Sequence, residues 1–288
     1  MNPSAVNGHQ GGSEREAGVR AVIFDWAGTT VDFGCFAPAV SMIQAFRANG
    51  LVLTMEEARG PMGLEKKDHI RALLSKPVVK ARWMEKCDGE PTEADVEAIY
   101  AELEPRLMDA VRQHAELVPG IVELADGLRS RGVAIGSTTG YSRTVMNVVV
   151  AEAARRGYRP DEVVCPSDVP AGRPFPWMCY QNAMRLNAYP FSRMVKIGDT
   201  PADMREGVNA GMWTIGLVQC GNEIGLSLDD LAAMPQEIIA ARRERASLRL
   251  LGAGAHYLAD DLTECAARIR RIEERVLRGD RPSREDAR

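Results

Sequence analysis

The 288-residue sequence has no long hydrophobic run and no excess of positive charge. No apolar stretch approaches the roughly 20 residues that a membrane-spanning helix requires. The formal net charge of −4 at pH 7 leaves no basic footprint of the kind that binds nucleic acid. We therefore expect neither a membrane nor a nucleic acid as a partner of this chain.

Paired cysteine motifs are also missing. The six cysteines, at positions 35, 87, 165, 179, 220 and 265, form neither a CxxC pair nor a zinc-finger spacing. Scattered cysteines are more typical of reduced thiols in the cytosol than of disulfides. The polar segment 1–18 lacks the apolar stretch of a secretory signal. We expect a cytoplasmic protein with a flexible leader at 1–18.

What is present is an alternation of short apolar segments and helical patterns. Alternating strands and helices indicate βαβ units and a parallel sheet with helices on both faces. The predicted fold class is therefore α/β, with a doubly wound, Rossmann-like parallel-sheet core. Strands are predicted at 19–25, 132–138, 161–166, 194–199 and 213–218, and helices at 143–156, 177–187 and 201–211.

One segment interrupts this alternation. Between about Phe36 and Ala115 the pattern is helical, and TEAD at 92–95 has the form of a capping box. Roughly 80 residues are too many for a loop in a compact domain. We therefore predict an inserted all-helical cap domain. The predicted boundaries are a core at 19–34 and 114–266, a cap at 35–113 and a charged tail at 267–288. We expect this tail to be a charged helix that fades into a disordered end.

Polar side chains follow four of the predicted strands. Ligands of open parallel sheets bind beyond the carboxyl ends of the strands. Carboxylates suit magnesium, whereas hydroxyl groups and arginine suit phosphoryl oxygens. The sequence therefore predicts a site for a phosphoryl group and a divalent cation. Its candidates are Asp25 after the first strand, Ser137, Thr138 and Thr139 after the second, Arg173 after the third, and Asp199 and Asp203 after the fourth.

Four motifs in this order, IFDWAGT, IGSTTG, AGRP and KIGDTPAD, resemble those of the haloacid dehalogenase superfamily of phosphoryl-transfer enzymes. The resemblance covers about residues 19–265 and implies a core that carries a helical cap. More narrowly, FDWAGTTVDFGCFAP, PMGLEKKDH, GSTTGY and DVPAGRPFPWMCY resemble the phosphonoacetaldehyde hydrolase family. That family cleaves the carbon–phosphorus bond of 2-phosphonoacetaldehyde, giving acetaldehyde and phosphate. The resemblance implies Mg²⁺ as cofactor, a small phosphonate as substrate and a homodimer formed through the cap.

The resemblance also implies roles for the core residues. Asp25 would attack phosphorus to form an aspartyl-phosphate. Asp25, Asp199 and the backbone carbonyl of Ala27 would bind the metal. Asp203 would hold metal-bound water or orient the metal ligands, although a charge at the start of a helix is an equally good reading. Arg173 would grip the phosphonate oxygens.

Ala27 distinguishes this chain from related phosphatases, which carry an aspartate there. That aspartate protonates a leaving alkoxide, and a general acid typically contributes roughly 10²–10⁴-fold. A carbon leaving group that is stabilised as an enamine would not need this general acid. An enamine forms from an imine, however, so the substrate aldehyde must first react with an amine of the protein. The resemblance assigns the imine to Lys66, rather than to Lys67 on the other side of the same predicted helix.

Other cap and junction residues receive less specific roles. His69, one helical turn after Lys66, is either a proton shuttle or a packed histidine. Met62 is predicted on the same helix face as Lys66, where it either lines the substrate pocket or packs as a core methionine, and Tyr141 is a further substrate-binding candidate. Cys35 matches a family position near the core–cap junction. Which of Ser137, Thr138 and Thr139 binds the phosphoryl group is left open, with Thr139 preferred.

Two other functions compete with this reading. One is a phosphatase that acts on a phosphate ester of a small metabolite, against which Ala27 argues. The other is a sensor that binds a phosphate ligand without catalysis, which would not need Asp25, Asp199 and Lys66 together.

Overall fold

The computed structural model describes residues 18–283. The leader predicted at 1–18, apart from Gly18, and residues 284–288 of the predicted tail lie outside the described residues. Within the described part of the chain, no helix combines the length and the apolar character that crossing a bilayer requires.

A single parallel sheet of six strands forms the centre of the described chain. The strand order is β3-β2-β1-β4-β5-β6, and every neighbouring pair is parallel. The order reverses beside β1, and such a reversal creates the crevice in which open α/β sheets bind ligands. The strands are β1 (Ala21–Phe24), β2 (Ala134–Thr138), β3 (Glu162–Val164), β4 (Met194–Gly198), β5 (Trp213–Leu217) and β6 (Tyr257–Ala259).

Helices cover both faces of this sheet. Side chains alternate along β1, so that Val22 and Phe24 join the cluster on one face while Ala21 and Ile23 join the cluster on the other. The first face is covered by α6 (Ile121–Ser130), α7 (Arg143–Arg155) and α12 (Leu262–Leu277). The second face is covered by α8 (Trp177–Arg185), α9 (Pro201–Asn209) and α11 (Gln236–Gly252). A short helix, α10 (Leu228–Ala233), precedes α11.

The helical insertion has a hydrophobic core of its own. The buried side chains of Phe46, Leu73, Trp83 and Leu103 belong to one cluster that is separate from the clusters on the sheet. The capping box predicted at 92–95 is confirmed, because the Thr92 and Asp95 side chains each accept the backbone N–H of the other. The predicted α/β fold with an inserted helical cap is confirmed. The cap helices are α1 (Phe36–Ala48), α2 (Met55–Arg59), α3 (Lys66–Leu74), α4 (Pro77–Cys87) and α5 (Glu93–Gln113).

The C-terminal part of the chain differs from the sequence-based expectation. Helix α12 begins at Leu262 and buries Ile269, Ile272 and Val276 in the main core. Residues 267–277 are therefore part of the core, which corrects their assignment to a charged tail. The charges occupy the solvent side of an amphipathic helix, so composition alone concealed the buried stripe.

Candidate active site

The central strands bring the predicted carboxylates to one edge of the sheet. Asp25 directly follows β1, and its N–H donates to the Ile197 carbonyl of the neighbouring β4 at 2.9 Å. Asp199 directly follows β4, and Asp203 lies in the first turn of α9. Ligand oxygens of Asp25, Asp199 and Asp203 all lie within 4.8 Å of one another.

This carboxylate cluster has the donor set of a hard divalent cation. Burial, and then the charges of Asp25 and Asp203, raise the pKa of Asp199 well above its usual range. Asp199 is held from two sides, because it accepts hydrogen bonds from Thr29 Oγ1 at 3.0 Å and from the Asn222 N–H at 2.7 Å. A cation between oriented carboxylates would offset their repulsion, and all-oxygen ligands suit Mg²⁺. The residues present therefore fit the metal site that the sequence predicts.

Arg173 and Lys196 balance part of this negative charge. Arg173 donates from Nη2 to Asp25 Oδ1 at 2.6 Å and from Nε to Glu206 Oε2 at 2.9 Å. It also lies 3.1 Å from Asp203 Oδ1, and Lys196 Nζ lies 2.9 Å from the same oxygen. Burial opposes ionisation of Asp203, but the two cations outweigh it and lower the pKa of Asp203. Asp203 thus faces both the carboxylate cluster and these cations.

Lys196 and Glu206 were not predicted as site residues. Both side chains are fully buried, and they lie 3.4 Å apart. The sequence pattern could have identified Lys196, because a lysine within the apolar strand MVKIG is expected to be buried. Buried lysines are almost always paired with a carboxylate. No sequence pattern identified Glu206, since its position in the predicted helix is equally compatible with an exposed and a buried side chain.

The geometry separates the three hydroxyl residues after β2. Ser137 Oγ donates to the Glu162 carbonyl at 3.0 Å, and Thr138 Oγ1 donates to Glu206 at 2.9 Å. Thr139 Oγ1 accepts the Tyr141 N–H at 3.1 Å and lines the same cavity as Asp25. Its hydroxyl proton is therefore available to a ligand, which favours Thr139 among the three.

Lys66 reaches this cavity from the cap. It is the first residue of α3, is only 5% exposed and lines the cavity together with Asp25. Burial lowers the pKa of Lys66 to about 8, and the charge of Arg173 acts in the same direction. Its Nζ lies 5.1 Å from the centre of the Tyr141 ring. Lys67 points elsewhere and pairs with Glu97 at 2.6 Å, so only one of the two adjacent lysines meets the core site.

The positions of His69 and Met62 differ from the prediction that both lie on one helix face beside the substrate pocket. His69 is fully buried and does not line the cavity; its Nε2 donates to the Ala58 carbonyl at 2.8 Å. Burial, and then Lys66, lower the pKa of His69 to about 3. Met62 does line the cavity, but from the loop before α3, because the helix begins at Lys66. The predicted helix face is therefore corrected for Met62, which precedes the helix, whereas His69 lies on the same helix as Lys66. The role of Met62 in the pocket stays a prediction.

The cavity between core and cap is small, with a volume of about 20 Å³. A groove of about 430 Å³ lies on the outer surface of the cap, but its Arg71 and Glu93 pair with each other, and it is not lined by Asp25, Asp199 or Asp203. Of these two cavities in the described part of the chain, the small one brings Asp25, Lys66 and Arg173 together. It is lined by Asp25, Ala27, Cys35, Pro38, Met62, Gly63, Lys66, Thr139, Gly140, Tyr141, Arg173 and Thr200.

Comparison with known proteins identifies the family to which this chain is similar. The haloacid dehalogenase-like hydrolase family matches residues 19–211. The chain is 53% identical over 264 residues to a phosphonoacetaldehyde hydrolase from Nitratidesulfovibrio vulgaris, covering 92% of this chain and 94% of the relative. It is 48% identical over 255 residues to a phosphonoacetaldehyde hydrolase from Bacillus cytotoxicus, covering 88% and 97% of the two chains.

A solved structure agrees with these relatives. The crystal structure of a phosphonoacetaldehyde hydrolase-like protein from Oleispira antarctica superposes with a TM-score of 0.89 at 36% identity, over 92% of this chain and 97% of that one. The chain belongs to the haloacid dehalogenase-like hydrolase family and, within it, to the phosphonoacetaldehyde hydrolases.

Proposed function

We propose that this chain hydrolyses the carbon–phosphorus bond of 2-phosphonoacetaldehyde to acetaldehyde and phosphate, through a Schiff base on Lys66 and an aspartyl-phosphate on Asp25. The observation that carries the proposal is that Asp25 and Lys66 line one small cavity in which position 27 is alanine. The names of the relatives support the same reaction.

Lys66 would act first. With a pKa of about 8, an appreciable fraction of its amine is neutral near physiological pH and can attack the aldehyde carbon. Loss of water then gives an iminium ion. The iminium accepts the electron pair of the carbon–phosphorus bond, so the carbon departs as an enamine and needs no acid at Ala27.

Asp25 would then attack phosphorus as this bond breaks. Arg173 and the Thr139 hydroxyl would bind the phosphonate oxygens, and bound Mg²⁺ would offset the repulsion between Asp25 and the substrate. The ligands of the metal would be Asp25, Asp199 and the carbonyl of Ala27. Protonation of the enamine carbon and hydrolysis of the imine would release acetaldehyde from Lys66. Water would then release phosphate from Asp25.

The remaining predicted residues would act around these two. Tyr141 and Met62 would enclose the substrate beside Lys66, and Asp203 would hold Arg173 and the metal ligands in place. His69 stays a prediction as a proton shuttle. Its position behind Lys66, bonded to the Ala58 carbonyl, supports an indirect role in placing that lysine.

Borohydride trapping tests the proposal. The protein is incubated with 2-phosphonoacetaldehyde and borohydride, and the peptides are analysed by mass spectrometry while phosphate release is followed in parallel. We expect a reduced adduct on Lys66 and loss of both adduct and turnover in Lys66→Arg, while the matched control Lys67→Arg keeps both. Turnover without an adduct would exclude the imine. Equal rates on a panel of phosphate esters would favour the phosphatase alternative.

We also propose that the chain is cytoplasmic and forms a homodimer through its cap. The six cysteines are free, which suits a reducing compartment. Apolar side chains exposed on the cap, including Val52 and Val78, offer surface for a second copy.

A further inference from the structure

Arg59, the last residue of α2 in the cap, is buried against the core and takes no part in the proposed reaction. Its Nη1 donates to the carbonyl of Gly34, in the linker between β1 and α1, at 2.7 Å and to Asn222 Oδ1 at 3.2 Å. In return, Asn222 Nδ2 donates to the Arg59 carbonyl at 3.2 Å. Cap, linker and the loop after β5 are thus joined at a single side chain.

The same loop contacts the predicted metal ligand. The Asn222 N–H donates to Asp199 Oδ2 at 2.7 Å. A Cβ atom at Gly221 would lie 2.2 Å from Asp199 Cβ, and one at Gly225, where φ is +65°, would lie 2.9 Å from Arg59 Cζ. The loop is therefore packed directly between the carboxylate on one side and the guanidinium on the other.

In the described part of the chain the guanidinium is not in direct contact with a carboxylate, but its charge partly offsets the rise in pKa that burial causes at Asp32 and Glu223. Arg59 is 9% exposed, and among the described residues it forms no ion pair. Its Nε and Nη2 have no hydrogen-bond partner, and its charge lies over the Phe36 ring at 5.1 Å. Burying a cation in this way costs stability, and a methionine would fill similar space without that cost. The arrangement therefore points to a task beyond packing.

We propose that Arg59 is a positioning residue that couples seating of the cap to the orientation of Asp199. The bonds between Arg59 and Asn222 join cap to core, so they exist only while the cap is seated. They hold the loop so that the Asn222 N–H stays on Asp199 Oδ2. Displacing the cap frees this N–H and one side of the carboxylate, and seating the cap restores both.

The test compares Arg59→Met, Arg59→Lys and Arg47→Met in the full chain. Arg47 is an exposed arginine in the last turn of α1 in the same cap and serves as the matched control. Hydrogen exchange is measured on the metal-free protein for peptides spanning 219–226, with β1 as the internal reference. We expect at least about tenfold faster exchange at 219–226 in Arg59→Met, unchanged exchange in β1, and no change in Arg47→Met.

Kinetics provide the second measurement. Losing a hydrogen bond from a charged group corresponds to about a 10- to 100-fold effect, so we expect kcat/KM for 2-phosphonoacetaldehyde to fall by that factor in Arg59→Met, with kcat falling as well as KM rising. Arg59→Lys keeps the charge and can still reach Gly34, but it cannot bond Gly34 and Asn222 together. It should fold like the wild type and still show faster exchange at 219–226.

Each outcome decides the proposal. Exchange and kcat/KM within about twofold of wild type in either Arg59 variant would overturn it, as would faster exchange spread equally over β1 in Arg59→Lys, which indicates a general loss of stability. The kinetic measurement rests on the proposed function, whereas the exchange measurement does not. If the wild type fails to turn over the phosphonate but the local exchange effect is present, the function is refuted and the coupling stands.

Discussion

Changing the pH from 6 to 10 should switch Lys66 between an inert ammonium and a reactive amine. Burial lowers the pKa of Lys66 to about 8 from an ordinary value of 10.5. At pH 7 about 9% of such a group is neutral, against about 0.03% of an ordinary lysine. The buried position therefore supplies about 300 times more reactive amine, equivalent to about 3 kcal/mol.

Reductive trapping over this pH range measures the effect directly. The metal-free protein is treated with a small aldehyde and cyanoborohydride for short times, and modification of Lys66 and of the partly exposed, ion-paired Lys67 is quantified by mass spectrometry. We expect the initial rate at Lys66 to rise with pH and to reach half of its maximum near pH 8. Because the two residues lie in the same peptide segment, Lys67 corrects for reagent and digestion effects.

A titration midpoint for Lys66 above about 10, or equal rates at both lysines at pH 7, would refute this reasoning. Either result would mean that burial does not withhold a proton from this amine. The Schiff-base step would then need another source of activation.

Three further perturbations test the charges around the cavity. Replacing Glu206 by Gln leaves Arg173 and Lys196 short of one counter-charge, so urea denaturation should show about 3–5 kcal/mol less stability; a loss under about 1 kcal/mol would contradict the buried pairing. His69 has a folded-state pKa of about 3 and an unfolded value near 6.5, so the folded state binds fewer protons and loses stability as the pH falls through this range. The wild type should therefore lose about 2 kcal/mol relative to His69→Gln between pH 7 and pH 5, and a pH-independent difference would contradict a buried neutral imidazole. Chelation should abolish turnover until Mg²⁺ is restored, and Asp199→Asn should prevent that recovery; full activity in excess chelator would exclude the metal site.

The core half of the site was accessible from sequence because strand register determines it. Asp25, Thr139 and Asp199 each directly follow one of three adjacent parallel strands, and parallel strands end at the same edge of the sheet. Recognising the strands was therefore enough to place these side chains together. The choice between Thr138 and Thr139 was not accessible, because it depends on Glu206 reaching across from α9 to bond Thr138.

The contacts between cap and core could not be predicted in the same way. Arg59 and Asn222 lie far apart in the chain, and no periodicity or spacing relates them. His69 shares a helix face with Lys66, but whether that face meets the cavity or the interior of the cap depends on how the helix is seated. The edge strand β6 has three residues and is only partly buried, so it lacks the apolar run by which the other strands were recognised.

The division of the proposed chemistry between core and cap has a mechanical consequence. In the closed site, Arg173 bonds Asp25, and the free volume of about 20 Å³ holds little more than one water molecule. A phosphonate substrate would therefore have to reach the site with the cap displaced, and its oxygens would then replace Asp25 as the partner of Arg173. In the proposed mechanism, bond cleavage would leave the carbon fragment attached to Lys66 on the cap and the phosphoryl group attached to Asp25 on the core. Cap opening at this stage would move the two fragments apart and admit the water that both hydrolyses need, so a single motion would serve substrate access and product separation.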